Sequence, residues 1–191
     1  MVPGAPAVLL VPIYCWWAFE VGLVIRDVVR RKGRWKRDRG TLVIVALGVV
    51  GSIAVAGLVR VHVPSLDTPA QQAFAVAGAC VLLLGLALRV WAVVTLGRSF
   101  RTSVEVDADQ PVVTRNPYRW IRHPSYAGLL LIALGGGLGV GNWLSLAICA
   151  IVPPLGMLPR IAVEEAELNR VLGDQYRSYQ ARTYRLVPGL W

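Results

Sequence analysis

Histidine and cysteine are scarce in this sequence of 191 residues, which contains two histidines and three cysteines. The histidines, His62 and His123, cannot form the cluster typical of a catalytic metal site, and Cys15, Cys80 and Cys149 lack the spacing of metal ligands. We therefore expect neither a metal site nor a metal cofactor. The three cysteines fall in apolar stretches, and we interpret them as small buried hydrophobic residues.

Acidic residues are also few, with 11 Asp and Glu against 20 Lys and Arg, and the long apolar runs hold very few charges. Hydrophobic residues make up 55% of the chain, and the mean hydropathy is +0.56. This composition excludes an ordinary soluble domain and predicts an integral membrane protein. The net charge of +9 does not indicate a nucleic-acid partner, because the basic residues flank apolar runs, where they favour insertion and contact with anionic lipids.

Long apolar runs predict the membrane-spanning helices, since one span needs about 20 predominantly apolar residues. Three runs meet this length, and a fourth block is too long for one span and is interrupted by glycines and Asn142. We interpret this block as a helical hairpin whose second arm is kinked at Pro153-Pro154. The sequence thus predicts one all-α membrane domain over residues 1–191, with a C-terminal cytoplasmic helix at about 160–182 and five spans at about 7–25, 41–59, 73–97, 124–139 and 142–158.

Basic residues in the loops predict the orientation. Residues 26–39 hold eight Lys or Arg, whereas residues 60–72 hold one. By the positive-inside rule the first loop is cytoplasmic, so counting spans places the N-terminus outside and the C-terminus in the cytoplasm. We expect a multi-pass protein of the cell membrane, in contact with membrane lipids.

Two ionisable residues lie inside predicted spans, Glu20 in the first and Arg89 in the third. Charged side chains are costly in lipid and usually face a partner. The two residues lie at comparable depths, so they are able to pair. The alternative is that Arg89 extends to the headgroups and Glu20 reaches them independently.

The polar connection before the fourth span carries the stretch RNPYRWIRHPSYAG, Arg115 to Gly128. Pro124 suits the first position of a helix, where its missing amide hydrogen is not needed, and His123 then precedes that helix start. Because a helix N-terminus favours negative groups, this arrangement is suited to an anionic or zwitterionic ligand. Alternatively, His123 only caps the helix and the neighbouring aromatic residues form an interfacial belt.

A second polar motif, Arg160-x-x-x-Glu164-Glu165, follows the last predicted span. Arg160 and Glu164 are one helical turn apart on the same face, so they are able to share a pocket. Glu165 points about 100° away from Glu164. Alternatively, Arg160 and Glu164 form a surface pair that only stabilises the helix.

The motifs of the C-terminal half resemble, in order and spacing, the signature of the isoprenylcysteine carboxyl methyltransferase family, and in particular its short prokaryotic members. The RHPxY core is similar in membrane sterol reductases and phospholipid N-methyltransferases, whereas the paired glutamates favour methyl transfer. The motifs are Val112-Val113-Thr114, Tyr118, Arg122-His123-Pro124-Ser125-Tyr126-x-Gly128, Arg160-x-x-x-Glu164-Glu165 and Gly173-x-x-Tyr176-x-x-Tyr179.

This resemblance implies a membrane enzyme that uses S-adenosylmethionine as its cofactor, with a prenylated cysteine or another lipid-like molecule as the methyl acceptor. Arg160 and Glu164 would be the catalytic residues, and Arg160 would bind the acceptor. The cofactor would be bound by Glu105, Gln110, Pro111, Val112, Val113, Tyr118, His123, Pro124, Ser125, Tyr126 and Glu164.

Three alternatives stay open at this point. A phospholipid amine would replace the carboxylate acceptor but would need a base such as Glu164 or Glu165 to remove its proton, whereas a carboxylate is already ionised at neutral pH. A reductase would need a nicotinamide cofactor, and the sequence has no Gly-x-Gly-x-x-Gly fingerprint. A non-enzymatic membrane scaffold would use its basic loops only to bind lipids. Resemblance of fold does not separate these functions.

Overall fold

The structure is a computed structural model that describes residues 6–31, 41–101, 106 and 110–189. The described residues form helices and no extended strands, with isolated β-bridges between Asp67 and Asn142 and between Ile121 and Tyr184. The α-helices are α1 (Ala7–Arg31), α2 (Thr41–Ala46), α3 (Ser52–His62), α4 (Gln71–Leu96), α5 (Pro124–Val140), α6 (Trp143–Leu172) and α7 (Asp174–Gln180).

Four helical segments of the described chain are long and apolar enough to cross a membrane. They are Ala7–Val29, Val43–His62, Gln71–Leu96 and Trp143–Leu172, and the shorter apolar helix Pro124–Val140 accompanies them. The second segment, which we call the second span, consists of α2, a π-helical turn at Leu47–Gly51, and α3. These findings confirm the all-α, multi-pass membrane fold with about five transmembrane helices.

The end of the chain departs from the predicted pattern at Pro159. The sequence predicts a break between the last span and an interfacial helix, but α6 runs without interruption through Pro153, Pro154 and Pro159 to Leu172. Each proline removes only one backbone donor, and neighbouring helices help a membrane helix to tolerate that loss. The break falls instead at Gly173, which has a φ of 54°. Arg160 and Glu164 therefore lie on a membrane helix.

Helices α4 and α5 approach each other closely along a stripe of glycines. A Cβ atom added at Gly85 would lie 2.7 Å from the carbonyl oxygen of Gly128, and one added at Gly135 would lie 2.7 Å from that of Gly78. At these distances no side chain fits between the two backbones. The stripe therefore fixes the start of α5 against the last turns of α4, where Arg89 lies.

The turn between α5 and α6 closes the opposite end of the bundle. Gly141 ends α5 in the left-handed region with a φ of 74°. The side chain of Asn142 then caps α6 by accepting hydrogen bonds from the backbone N–H groups of Leu144 (3.1 Å) and Ser145 (3.2 Å). Its amide also donates to Asp67 at 2.9 Å, and this hydrogen bond lowers the pKa of the Asp67 carboxyl. The predicted hairpin is confirmed.

The interpretation of the cysteines as buried residues is right for one and wrong for two. Cys149 is buried, whereas Cys15 and Cys80 are exposed on the outer surface of the helices. In a membrane, the apolar outside of a helix faces lipid and does not require burial in protein. Hydrophobicity alone therefore does not distinguish a core position from a lipid-facing one.

We predict that Gly135→Ala destabilises the protein by about 1 to 3 kcal/mol, because the added methyl group forces α4 and α5 apart. Gly22→Ala is the matched control, since nothing lies within 4 Å of a Cβ atom at Gly22. There the better helix propensity of alanine leaves stability equal or up to about 1 kcal/mol higher. Thermal unfolding in detergent measures both. Equal stability of Gly135→Ala and wild type would contradict the close packing.

Candidate active site

Tyr126, in the first turn of α5, joins the two polar residues that the sequence places one turn apart on α6. The Nε of Arg160 donates a hydrogen bond to the Tyr126 hydroxyl at 2.8 Å. The same hydroxyl donates to Oε2 of Glu164 at 2.8 Å. Arg160 is 3% exposed. The alternative of a simple surface pair is therefore excluded, because a third residue from another helix connects the two inside the protein.

Glu165 faces away from this chain of contacts and is 4% exposed. Its Oε1 accepts from Nε of Arg122 at 2.9 Å and lies 3.1 Å from Nε2 of His123. Its Oε2 accepts from Nε of Arg185 at 3.1 Å. The neighbouring glutamates thus have separate surroundings, with Glu164 bound to a tyrosine and Glu165 surrounded by two arginines and a histidine.

His123 occupies the N-cap position of α5, and Pro124 is the first helical residue. The imidazole does not cap the helix, because no side-chain hydrogen bond is made to the backbone there. It is bound to Glu165 instead, and its ring lies 5.7 Å from that of Tyr126 between centroids. The alternative in which His123 serves only as a cap is not supported.

Glu20 and Arg89 form an ion pair between α1 and α4. The Nη2 of Arg89 donates to Oε2 of Glu20 at 2.7 Å, and its Nε contacts the other carboxylate oxygen. The Nη1 of Arg89 donates to the hydroxyl of Ser125 at 2.6 Å, and the indole of Trp16 donates to Glu20 at 3.0 Å. Pairing is thus the correct alternative for these two residues, and the pair extends to the first turn of α5.

A cavity of about 760 Å³ lies among α1, the second span, α4, the start of α5 and the end of α6. Most residues predicted for cofactor and acceptor binding line it. Pro124 is fully buried and does not belong to the lining, and Glu105 lies outside the described residues. The predicted residues that line the cavity are Gln110, Pro111, Val112, Val113, Tyr118, His123, Ser125, Tyr126, Arg160 and Glu164.

The cavity also contains residues for which sequence reasoning assigned no role. Glu20 and Arg89 line it, as do Tyr176 and Tyr179 of α7. Glu20 and Arg89 were detectable as ionisable residues within spans, and the tyrosines belong to a motif that the sequence shows. Trp16 also lines the cavity. Its position in the sequence could not predict this, because tryptophans in spans commonly face the lipid.

One side of the cavity is apolar and opens toward lipid between α1 and the second span. The residues at this opening line the cavity and yet are strongly exposed, including Trp17 (44%), Val24 (49%) and Leu47 (67%). Helix α1 packs on α4 and α5, and the second span packs on α5 and α6. We call the gap between them the lateral slot. The residues of the slot and the polar residues described above line the same cavity.

Buried tyrosines form another part of the cavity wall. The hydroxyl of Tyr118 donates to the backbone oxygen of Ala92 at 3.3 Å, and that of Tyr179 donates to the backbone oxygen of Tyr118 at 2.7 Å. Burial raises the pKa of Tyr118, Tyr176 and Tyr179 above the usual value of a phenol. These side chains therefore stay neutral and offer aromatic faces and hydroxyl dipoles to a ligand.

Part of this chain is similar to a known protein family. A family model described as the isoprenylcysteine carboxyl methyltransferase family matches residues 77–170. A protein-S-isoprenylcysteine O-methyltransferase of Tribolium castaneum is 33% identical over 113 residues, which are 58% of this chain and 40% of that protein. The corresponding protein of Schizosaccharomyces pombe is 36% identical over 109 residues, 56% of this chain and 46% of that protein. The chain thus spans about half the length of these relatives.

A solved structure is also similar over the whole chain. It is that of a eukaryotic intramembrane Ras methyltransferase, an isoprenylcysteine carboxyl methyltransferase, and it aligns with a TM-score of 0.71 and 23% sequence identity. The alignment covers 100% of this chain and 69% of that one. At this level of identity the likeness establishes the shared fold.

We predict that Glu20→Leu destabilises the protein by up to about 3 to 5 kcal/mol, because it leaves the buried Arg89 without its counter-charge. The double variant Glu20→Leu with Arg89→Met removes both charges and recovers most of that loss. Thermal unfolding of Glu20→Leu, Arg89→Met and the double variant measures the coupling energy between the two residues. Additive losses would show that the pair does not exist in the membrane protein.

Proposed function

We propose that this chain, which belongs to the isoprenylcysteine carboxyl methyltransferase family, transfers a methyl group from S-adenosylmethionine to the carboxylate of a lipophilic acceptor. The observation that carries the proposal is the pair of hydrogen bonds by which Tyr126 joins Arg160 to Glu164. All three residues line the cavity whose wall also includes the residues of the lateral slot. A polar donor and a lipid-like acceptor are able to meet in such a cavity.

The polar residues of the cavity suit the charged and hydrogen-bonding groups of S-adenosylmethionine. That molecule supplies an electrophilic methyl group on a positively charged sulfur, next to an amino-acid group, a ribose and an adenine. Glu164 offers a carboxylate, and within the described residues its Oε1 makes no hydrogen bond, so it is able to accept from a hydroxyl or an ammonium group. Tyr118, Tyr176 and Tyr179 offer aromatic faces, which attract cations.

Arg160 is suited to orient the acceptor. Its guanidinium lines the cavity from α6 and is held through Nε by the hydroxyl of Tyr126. A guanidinium binds a carboxylate through well-directed, charge-assisted hydrogen bonds. An acceptor carboxylate is already ionised at neutral pH and needs no base. Removing its water inside the slot would make it more reactive.

The protein's main contribution to the rate would be alignment. Methyl transfer is an in-line displacement in which the carboxylate oxygen forms a bond to the methyl carbon while the bond to sulfur breaks. Holding the two reactants together can lower the barrier by up to about 7 to 11 kcal/mol in the best intramolecular reactions. Tyr126 would contribute by linking the residue assigned to the donor, Glu164, with the residue assigned to the acceptor, Arg160.

We further infer that the polar part of the cavity faces the cytoplasm. Residues 26–39, which begin in the last turns of α1, contain eight Lys or Arg. Helix α1 ends on the side where α4 ends and α5 begins, since Arg26 donates to the backbone oxygen of Phe100. The positive-inside rule places that side in the cytoplasm and the N-terminus outside, in the cell membrane. This arrangement supports access to soluble S-adenosylmethionine from the cytoplasm and to the acceptor from the lipid.

A phospholipid amine is the second candidate acceptor, and one observation favours it. Glu164 has a carboxylate oxygen without a hydrogen bond among the described residues, and a carboxylate in that state is able to take the proton that an amine must lose. An acceptor screen distinguishes the carboxylate acceptor from the amine acceptor. A prenylated cysteine carboxylate and phosphatidylethanolamine are compared as substrates at several pH values, since only the amine requires deprotonation.

We predict that S-adenosylmethionine binds the detergent-solubilised protein and that Glu164→Ala weakens this binding at least tenfold, about 1.4 kcal/mol. Calorimetric titration measures it, with S-adenosylhomocysteine as a second ligand and NADPH as the competing cofactor. Glu167→Ala is the matched control, because Glu167 is on the same helix and pairs with Arg170 at the surface. Binding of NADPH instead of S-adenosylmethionine would favour a reductase.

Arg160→Ala should weaken the use of the acceptor more than it weakens donor binding, because Arg160 is assigned to the acceptor carboxylate. We expect the KM for N-acetyl-S-farnesylcysteine to rise at least tenfold, and the donor Kd to change only about two- to threefold through the lost contact with Tyr126. Radiometric methyl transfer and calorimetry measure the two quantities. The reverse pattern would contradict this assignment.

A further inference from the structure

The segment after α7 pairs with the residues that lead into α5. The N–H of Tyr184 donates to the backbone oxygen of Trp120 at 3.0 Å, and the N–H of Arg122 donates to that of Tyr184 at 2.7 Å. The N–H of His123 donates to the backbone oxygen of Arg185 at 3.0 Å. Residues 183–186, which we call the C-terminal clasp, thus hold the backbone immediately before the first helical residue of α5.

Side chains fasten the clasp to α6 through Glu165. Arg122 approaches one oxygen of this carboxylate and Arg185 the other, at 2.9 and 3.1 Å. Arg122 also donates through Nη1 to the backbone oxygen of Gln180 at 3.1 Å. Leu186, the last residue of the clasp, is 8% exposed and belongs to the hydrophobic core. The clasp is therefore docked by backbone, ionic and apolar contacts together.

Glu165 does not line the cavity, although two of the three residues that it holds do. His123 and Arg122 are cavity residues, and Ser125 and Tyr126 follow them in the first turn of α5. One carboxylate thus sets the position of the segment from which several cavity side chains project. Without it, the guanidinium of Arg122, whose side chain is 10% exposed, would lose its ion pair, which is costly for a buried cation.

We propose that Glu165 and Arg185 are positioning residues for donor binding, acting through His123 and the first turn of α5 without touching the ligand. The clasp lies beyond the residues 77–170 that the family model matches. The donor site of this chain therefore includes a C-terminal part that the family match does not cover. This inference rests on the proposed function, because it assigns the two residues to the binding of S-adenosylmethionine.

The test uses the full-length protein in detergent with the variants Glu165→Gln, Arg185→Gln and their combination. We expect Glu165→Gln to raise the Kd for S-adenosylmethionine at least tenfold, and Arg185→Gln to raise it about three- to fivefold. The double variant should bind no more weakly than Glu165→Gln alone, because Arg185 acts through Glu165. Asp174→Asn is the control, since Asp174 pairs with Arg177 at the surface of α7.

NMR of the histidine side chains supplies a readout that needs no ligand. The chain has only two histidines, so the imidazole signals of His123 and His62 are resolved from each other. Glu165→Gln should displace the His123 signal and leave the His62 signal unchanged, in protein that still unfolds cooperatively. Restoring the carboxylate with Glu165→Asp should return the His123 signal toward its wild-type position and recover part of the affinity.

The outcomes separate this inference from the proposed function. If Glu165→Gln lowers only the melting temperature while donor affinity and the His123 signal stay as in wild type, Glu165 is a structural residue and the inference fails. If the wild-type protein binds no S-adenosylmethionine, the proposed function fails, and the assignment of the two residues to donor binding fails with it. A displaced His123 signal together with weakened binding supports both.

Discussion

The close approach of α4 and α5 is the constraint on which the site depends. Because glycines at Gly85, Gly128 and Gly135 leave no side chain between the two helices, the last turns of α4 lie directly against the first turns of α5. Arg89 is therefore able to reach the hydroxyl of Ser125. The next residue, Tyr126, is in turn presented to Arg160 and Glu164 of α6. A bulkier contact between the helices would move the first turn of α5 away from all three partners.

The energetic cost of charge in a membrane accounts for the arrangement of the ionisable residues. A charged group in hydrocarbon needs a partner, and a buried pair is tolerated only when its hydrogen bonds are satisfied. Two groups of ion pairs meet this condition among the described residues: Glu20 with Arg89, and Glu165 with Arg122 and Arg185. Glu164 differs, because its Oε1 makes no hydrogen bond there. A polar atom that is available in this way is suited to binding a ligand.

Much of the fold was predictable from the sequence, because the length of an apolar run and the charges beside it are local properties. The hairpin between α5 and α6, with Asn142 at its turn, is an example. The continuation of α6 through Pro159 was not predictable, since tolerance of a proline depends on the neighbouring helices. For the site, the motifs identified the cavity residues, but the pattern could not show that Tyr126 lies between Arg160 and Glu164. That contact depends on the packing of α5 against α6.

The wall of the cavity is built from two parts of the chain. Gln110, His123, Tyr126, Arg160 and Glu164 lie within the residues 77–170 that the family model matches, whereas α1 and the second span lie outside them. These two elements form the lateral slot and contribute Trp16, Trp17 and Leu47 to the cavity. The family match therefore covers both Arg160 and Glu164, the residues proposed for acceptor and donor, whereas the slot by which a lipid would reach them lies outside it. Because α1 is joined to α4 through the ion pair of Glu20 and Arg89, a change in the wall of the slot would also disturb the polar wall of the cavity.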